Sequence, residues 1–237
     1  MSTFAKHDLE HAAQEGPHRR SVAALMNPPR LPTELLSMDA HLAPEAEWSD
    51  AEITGDFSGL DGSHADIVGC RLASARLTAA ELVNARITDT LLTGCDLAGA
   101  RLDQARLTRV ELRDCRLSGL LLGGTVLQDV RFADCKLDSG HLRMSKGERV
   151  EFASTVLTGA DFGGSRWAHA RFFDCDLTGA DFSGAKLAGA RLHGSVLDDV
   201  RGALDLGGVI IDSDQIVALG FRVLAALGVG VDDAREC

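Results

Sequence analysis

Few residues of this 237-residue chain could do chemistry, and each has a plainer reading beside it. His7-Asp8-Leu9-Glu10-His11 has the H-x-x-E-H spacing that sets two imidazoles and a glutamate base on one helix face for zinc hydrolysis. That chemistry needs a rigid scaffold and a further ligand. The polar segment around it offers neither, so chance spacing is the better reading. Five cysteines, Cys70, Cys95, Cys115, Cys135 and Cys175, fall on multiples of five, and the last four are separated by multiples of twenty. A metal or disulfide ladder could use such a column. A buried free thiol serving as a small apolar side chain accounts for it with nothing added. Pro29-x-x-Pro32 reads as a stiff linker. No Gly-rich phosphate loop and no nucleophile, base and orienter set is present. The chain is therefore read as no enzyme, with no catalytic residue, no cofactor and no metal.

The charge is 24 Lys and Arg against 35 Asp and Glu, net −11. Such a chain repels polyphosphate, which argues against nucleic acid as a direct ligand unless the basic residues gather on one face, and suits a basic protein partner. The first fifteen residues are polar, and no stretch approaches the roughly 18–20 apolar residues that cross a bilayer. A cytoplasmic protein without membrane contact is expected, and thiols stay reduced there.

What must position any surface chemistry is a repeat of period five. From Phe57 every fifth residue through Leu197 is bulky and apolar, except Gly62 and Gly147 among 29 positions. Two residues earlier runs a column of mostly small residues, Ala65, Cys70, Ala75, Ala80 and onward. Two residues later Gly occurs twelve times, which marks a turn position with φ > 0. Two inward residues two apart share one side of a short extended segment, and the remaining three turn a corner. A chain that repeats this must coil and stack.

Units such as Ala160-Asp161-Phe162-Gly163-Gly164, Ala180-Asp181-Phe182-Ser183-Gly184 and Cys95-Asp96-Leu97-Ala98-Gly99 resemble the pentapeptide-repeat family over about residues 55–201. The resemblance implies an all-β solenoid, a right-handed quadrilateral β-helix with four pentapeptides per coil. About seven coils at about 4.8 Å give a rod roughly 35 Å long, a surface with no evident pocket.

Three regions are expected: 1–50, a partly helical N-terminal extension; 51–202, the β-helix; and 203–237, a cap. Ser21–Asn27 is helix-prone and Thr33–Leu42 spaces its apolar residues helically, which suggests a cover for the first coil. In the tail, Asp212 or Ser213 can cap a helix that runs to about Leu227 and stops at Gly228. Ile216, Val217, Leu219, Phe221, Val223, Leu224 and Leu227 leave that helix almost no polar face, and one rod end can bury only one side of it. The other side is expected to pair with a second copy, end to end. Ile211-Asp212-Ser213-Asp214-Gln215-Ile216-Val217-Ala218-Leu219 and Ala226-Leu227-Gly228 resemble the tail of the mycobacterial fluoroquinolone-resistance pentapeptide proteins, relatives of the Qnr group. That resemblance implies dimerisation through the tail and binding of DNA gyrase by imitation of duplex DNA.

Charge tempers the imitation. Duplex DNA carries one charge per about 1.7 Å, so a full 35 Å copy needs roughly 20. Residues 51–202 hold 18 cations and 21 anions. One face is basic, reading Asp66, Arg86, Arg106, Val126, Lys146, Arg166 and Lys186; a neighbouring face carries Asp61, Glu81, Asp161 and Asp181. Acidity collects toward the tail at Asp198, Asp199, Asp205, Asp212 and Asp214. Imitation would be local, and Asp161, Asp181 and these five form the candidate partner-binding set. The alternative is a structural adaptor that docks a partner through residues 1–50 or the basic face. Gly140–Val150, where the repeat weakens at Gly147, is left open between a regular coil and a recognition loop.

Overall fold

The computed structural model describes residues 26–38 and 40–230. His7-Asp8-Leu9-Glu10-His11 and most of Ser21–Asn27 lie outside them.

Eleven parallel strands join in one continuous sheet that winds into a solenoid. They are β1 (Leu36–Ser37), β2 (Glu47–Ser49), β3 (Ala51–Ile53), β4 (Asp66–Val68), β5 (Arg71–Ala73), β6 (Arg86–Thr93), β7 (Arg106–Arg113), β8 (Val126–Ala133), β9 (Lys146–Ala153), β10 (Arg166–Ala168) and β11 (Arg171–Phe173). From Asp66 to Lys186 each rung pairs with the residue twenty positions on, as in Asp66↔Arg86, Arg86↔Arg106 and Arg166↔Lys186. Twenty residues make one coil of four sides. The first side holds β4, β10 and the first halves of β6–β9; the second holds β5, β11 and their second halves. The third and fourth sides carry single-rung bridges, Asp56 to Val196 and Asp61 to Arg201. The third side steps through Asp56, Arg76, Asp96, Arg116, Lys136, Val156, Asp176 and Val196, seven coil spacings.

The interior is the fivefold column. Leu77, Leu82, Leu117, Leu122, Leu127, Leu137 and Leu142 are all 2% exposed or less, and the small column packs between them. Phe132, Phe152 and Phe172 stack at 4.7 and 5.1 Å within 7° of parallel, one ring per coil, as their spacing implies. All 29 positions two residues after the interior column have φ between 48 and 75°. Twelve are Gly, and of the other seventeen, six are Asp, with Asn84, His64 and His169 also present. These are the residue types that tolerate the left-handed region best.

Corner chemistry sets strand length. Between the first and second sides the small column carries Thr90, Val110, Val130 and Val150, and there β6–β9 run unbroken for eight residues. β-Branched side chains favour extended backbone. At Cys70 and Ala170 the same corner breaks the strand into β4/β5 and β10/β11.

Gly147 opens no loop. β9 passes through it in register, and a Cβ there would lie 2.9 Å from the Trp167 ring. The missing side chain makes room for the fully buried indole of the next coil, whose Nε1 donates to Ser145 Oγ at 3.0 Å.

Both ends depart from the simple count. The step from Ile53 to Phe57 is four residues rather than five, so β2 stacks on β4 and β3 on β5 with a nineteen-residue step, and Trp48 and Ile53 belong to the core. The helix expected over Thr33–Leu42 does not form. Leu36–Ser37 pairs instead with the open edge of β3, which would otherwise leave its backbone groups unpaired. At the other end Ala203–Leu206 makes a 3-10 turn, Ser213–Gln215 a second, and Ile216–Ala226 the helix α1. The Asp212 N–H donates to Gln215 Oε1 at 2.8 Å. The helix stops at Gly228 (φ 72°), with Val229 N–H on Leu224 O and Gly228 N–H on Ala225 O.

Gly202 begins this cap at φ 71°, and a Cβ would fall 2.4 Å from Ser183 N and 2.6 Å from Phe182 C. Both are backbone atoms and cannot yield. Gly202→Ala is expected to cost at least about 2 kcal/mol in a denaturant melt, against about 1 for Gly59→Ala, which shares the φ but has open space around it.

Candidate interaction surfaces

The inward cysteines make a hydrogen-bonded column. Cys95, Cys115, Cys135 and Cys175 direct Sγ at carbonyls of Leu72, Leu92, Leu112 and Phe152, each 23 residues back, at 3.5–3.7 Å. Thr155 and Ser195 make the same bond to Phe132 and Phe172. Gln215 takes the next rung, donating to Leu192 O at 2.6 Å and Ser195 O at 2.5 Å, so the cap completes the column. Burial, the largest influence, with the Asp174 charge acting in the same direction, pushes the Cys175 thiol up to about 12, which disfavours the reactive thiolate.

Outside, charge is arranged in rungs. Arg76 pairs with Asp56 at 2.5 Å, Arg101 with Glu81 at 3.4 Å, Arg116 with Asp96 at 3.1 Å, and Arg131 with Glu111 and Glu151 at 3.2 and 3.0 Å. Exposed pairs contribute about 0–1 kcal/mol each. Their larger effect is to cancel the exterior field. Asp161 and Asp181, adjacent rungs on the fourth side, are held by Arg143 at 3.0 Å and Arg201 at 3.6 Å.

The other acidic candidates surround the C-terminal end. Asp199 pairs with Arg222 of α1, Asp205 accepts the Gly184 N–H at 2.9 Å, and Asp212 binds His193 Nδ1 at 2.6 Å and Gly194 N–H at 2.7 Å. Asp198 and Asp199 join Ala218, Phe221, Arg222, Leu224, Ala225 and Val229 around an open cleft of about 570 Å³ between α1 and the last coil. Asp214 lies exposed in the turn before α1. The apolar candidates divide. Leu219 packs on the core and Val223 is half-buried, whereas Ile216, Val217, Phe221, Leu224 and Leu227 face solvent.

One surface escaped the sequence reading. Residues 27–32 run along the corner between the first and second sides as a strap. Asn27 donates N–H to Asp129 Oδ1 at 3.1 Å and Nδ2 to Oδ2 at 3.2 Å, and Arg30 donates N–H to Asp89 Oδ1 at 2.9 Å. Arg109 grips Asp89 and Arg149 grips Asp129 from the far side, each through two nitrogens. The two aspartates are two coils apart, about 9.6 Å. Three residues of polyproline II span about 9.3 Å, so Pro28 and Pro29 hold the strap in step with the coils.

The Arg109 bond holds the Asp89 carboxyl below the ordinary range. Burial alone raises Asp129, but the bonds from Arg149 and Asn27 outweigh it and leave that carboxyl low as well. Groups lowered on folding contribute fully above their ordinary value of 3.8 and lose that contribution as pH falls through the lower folded value. Protection of the Asn27 and Arg30 amides in hydrogen exchange, corrected for intrinsic rate, is therefore expected to fall below that pH. Asp129→Asn should have the same effect at neutral pH, at least tenfold at Asn27, because a hydrogen bond to a charged acceptor contributes about 1.5–3 kcal/mol.

A family profile described as a pentapeptide repeat region matches residues 85–162, and one described as pentapeptide repeats (8 copies) matches 56–94, 155–194 and 175–201. Among solved structures, HetL, a pentapeptide repeat protein involved in heterocyst differentiation regulation in the cyanobacterium Nostoc sp., is 23% identical. The match covers 70% of this chain and 85% of HetL at a TM-score of 0.43. QnrB1, a plasmid-mediated fluoroquinolone resistance protein, is 18% identical over 77% of this chain and 98% of its own, at a TM-score of 0.47. Comparison with curated proteins gives no significant match.

Proposed function

The chain belongs to the pentapeptide-repeat family, and we propose that it is a cytoplasmic, non-catalytic binding protein that pairs through α1 and engages a type II topoisomerase such as DNA gyrase. The acidic centre of that dimer would occupy the enzyme's DNA-binding saddle, moderating the enzyme or shielding it from inhibitors such as quinolones. The observation that carries the reading is the outer side of α1. Ile216, Val217, Phe221 and Leu227 are 57–65% exposed on a helix whose inner side already leans on the rod. Joining two such helices would bring Asp198, Asp205 and Asp214 of both copies to one place. The likeness of residues 211–228 to the tail of the gyrase-binding group supports the choice of enzyme. Asp161 and Asp181, paired with arginines, add little to the field, so the imitation is confined to the dimer centre.

Supercoiling by purified gyrase, with and without a quinolone, tests this reading. The protein is expected to slow supercoiling or to relieve the drug's inhibition at low micromolar concentration. No change at several micromolar overturns it.

A further inference from the structure

Exterior cations are repeatedly neutralised one coil away, but at the corner between the first and second sides, toward the C-terminal end, they are not. Lys146, Arg166 and Lys186 stack as successive rungs of the first side, and Arg171 and Arg191 as successive rungs of the second. Among the described residues none of the five is held in an ion pair. Glu151, the rung beside Arg171, is bonded to Arg131. Like charges about 4.8 Å apart are unfavourable in the isolated protein. Burial lowers the Arg171 pKa and the neighbouring Arg191 lowers it further, against the pull of Glu151. Beside these cations Phe173 and His193 lie parallel at 6.1 Å, and Ile210 follows Arg191 as the next rung, exposed.

We propose that this corner is a docking surface for a short acidic segment of a partner protein that carries an aromatic or apolar residue among its carboxylates. Three features fix the class of partner. The first-side cations span only two coil steps, about 10 Å, which three or four extended residues cover. The patch ends at Glu148, Glu151, Asp174 and Asp212, which are carboxylates that already have partners, so a longer polyanion would run past the cations onto surface that offers it no counter-charge. Duplex DNA, with a charge every about 1.7 Å, meets that border at once. Phe173, His193 and Ile210 supply apolar contact that a bare phosphate chain does not use. This surface adjoins the acidic end where Asp212 meets His193 but uses the cations rather than the carboxylates, so a negative supercoiling result leaves it standing.

Fluorescence anisotropy of the full chain with a labelled Glu-Glu-Phe-Glu-Asp-Glu peptide, at about 150 mM salt, tests the proposal, with a short DNA duplex as the second probe. The peptide is expected to bind. Arg166→Glu/Lys186→Glu should weaken it at least roughly tenfold, and Arg116→Glu/Lys136→Glu on the third side should not. Absence of peptide binding, equal loss in both variants, or tighter binding of the duplex overturns it.

Discussion

Leu112→Asp is expected to abolish the cooperative thermal unfolding of the rod at neutral pH. Leu112 is 3% exposed in β7, stacked between Leu92 and Phe132. Removing its side chain costs about 2–5 kcal/mol in transfer and cavity. The carboxylate that replaces it meets no donor, which adds several kcal/mol. Together these rival the whole stability of an ordinary domain, about 5–15 kcal/mol. The sign with pH follows from burial. The new carboxyl has a raised pKa in the folded state, so its penalty is least below the unfolded value and grows as pH rises. The variant should therefore recover part of its Tm near pH 4, about the ordinary carboxylate value. Coils hold one another by nearest-neighbour contact, so calorimetry near pH 4 should show the recovered transition split around the damaged coil. An unchanged Tm would mean that the side chain does not point at the axis.

The interior column is legible from Phe57 to Leu197 because each coil imposes the same inward positions. It is lost upstream because the four-residue step from Ile53 to Phe57 shifts the count and hides Trp48 and Ile53. Gly147 looks like a defect until position 167 is read beside it, one coil later, where the tryptophan fills the space. The helical spacing of Thr33–Leu42 is real in the sequence, but pairing with an open strand edge outweighs so weak a preference. Net charge by segment gives the near-neutrality of the rod but not its arrangement. Asp56 with Arg76 and Asp96 with Arg116 are ion-pair partners, an alternation of sign at twenty residues that the sequence itself carries. The stacked cations are the exception: Lys146, Arg166 and Lys186 are legible as one basic face, and Arg171 and Arg191 join them only when the neighbouring side is read beside it. The strap could not be found locally at all, since its contacts join residues 102 and 59 positions apart.

Phe221→Glu is expected to turn a dimer into a monomer while leaving the rod intact. Phe221 is 57% exposed on α1 and lines the cleft between the helix and the last coil, so the folded protomer loses little by its removal. A second copy would cover that ring together with Ile216, Val217 and Leu227. A buried aromatic at the centre of an interface contributes about 2 kcal/mol or more, and a twofold dimer loses it twice. Roughly 4 kcal/mol is about a thousandfold in Kd. Sedimentation velocity across a concentration series should show the change in mass, with an unaltered circular dichroism spectrum. Leu219→Glu is the wrong probe, because Leu219 packs against the core and its loss would detach the cap itself. If the chain sediments as a monomer before the substitution as well as after it, the outer side of α1 gathers nothing. The carboxylates of the C-terminal end then remain a single half-neutralised cluster, too small to stand in for a duplex, and the topoisomerase reading loses its surface.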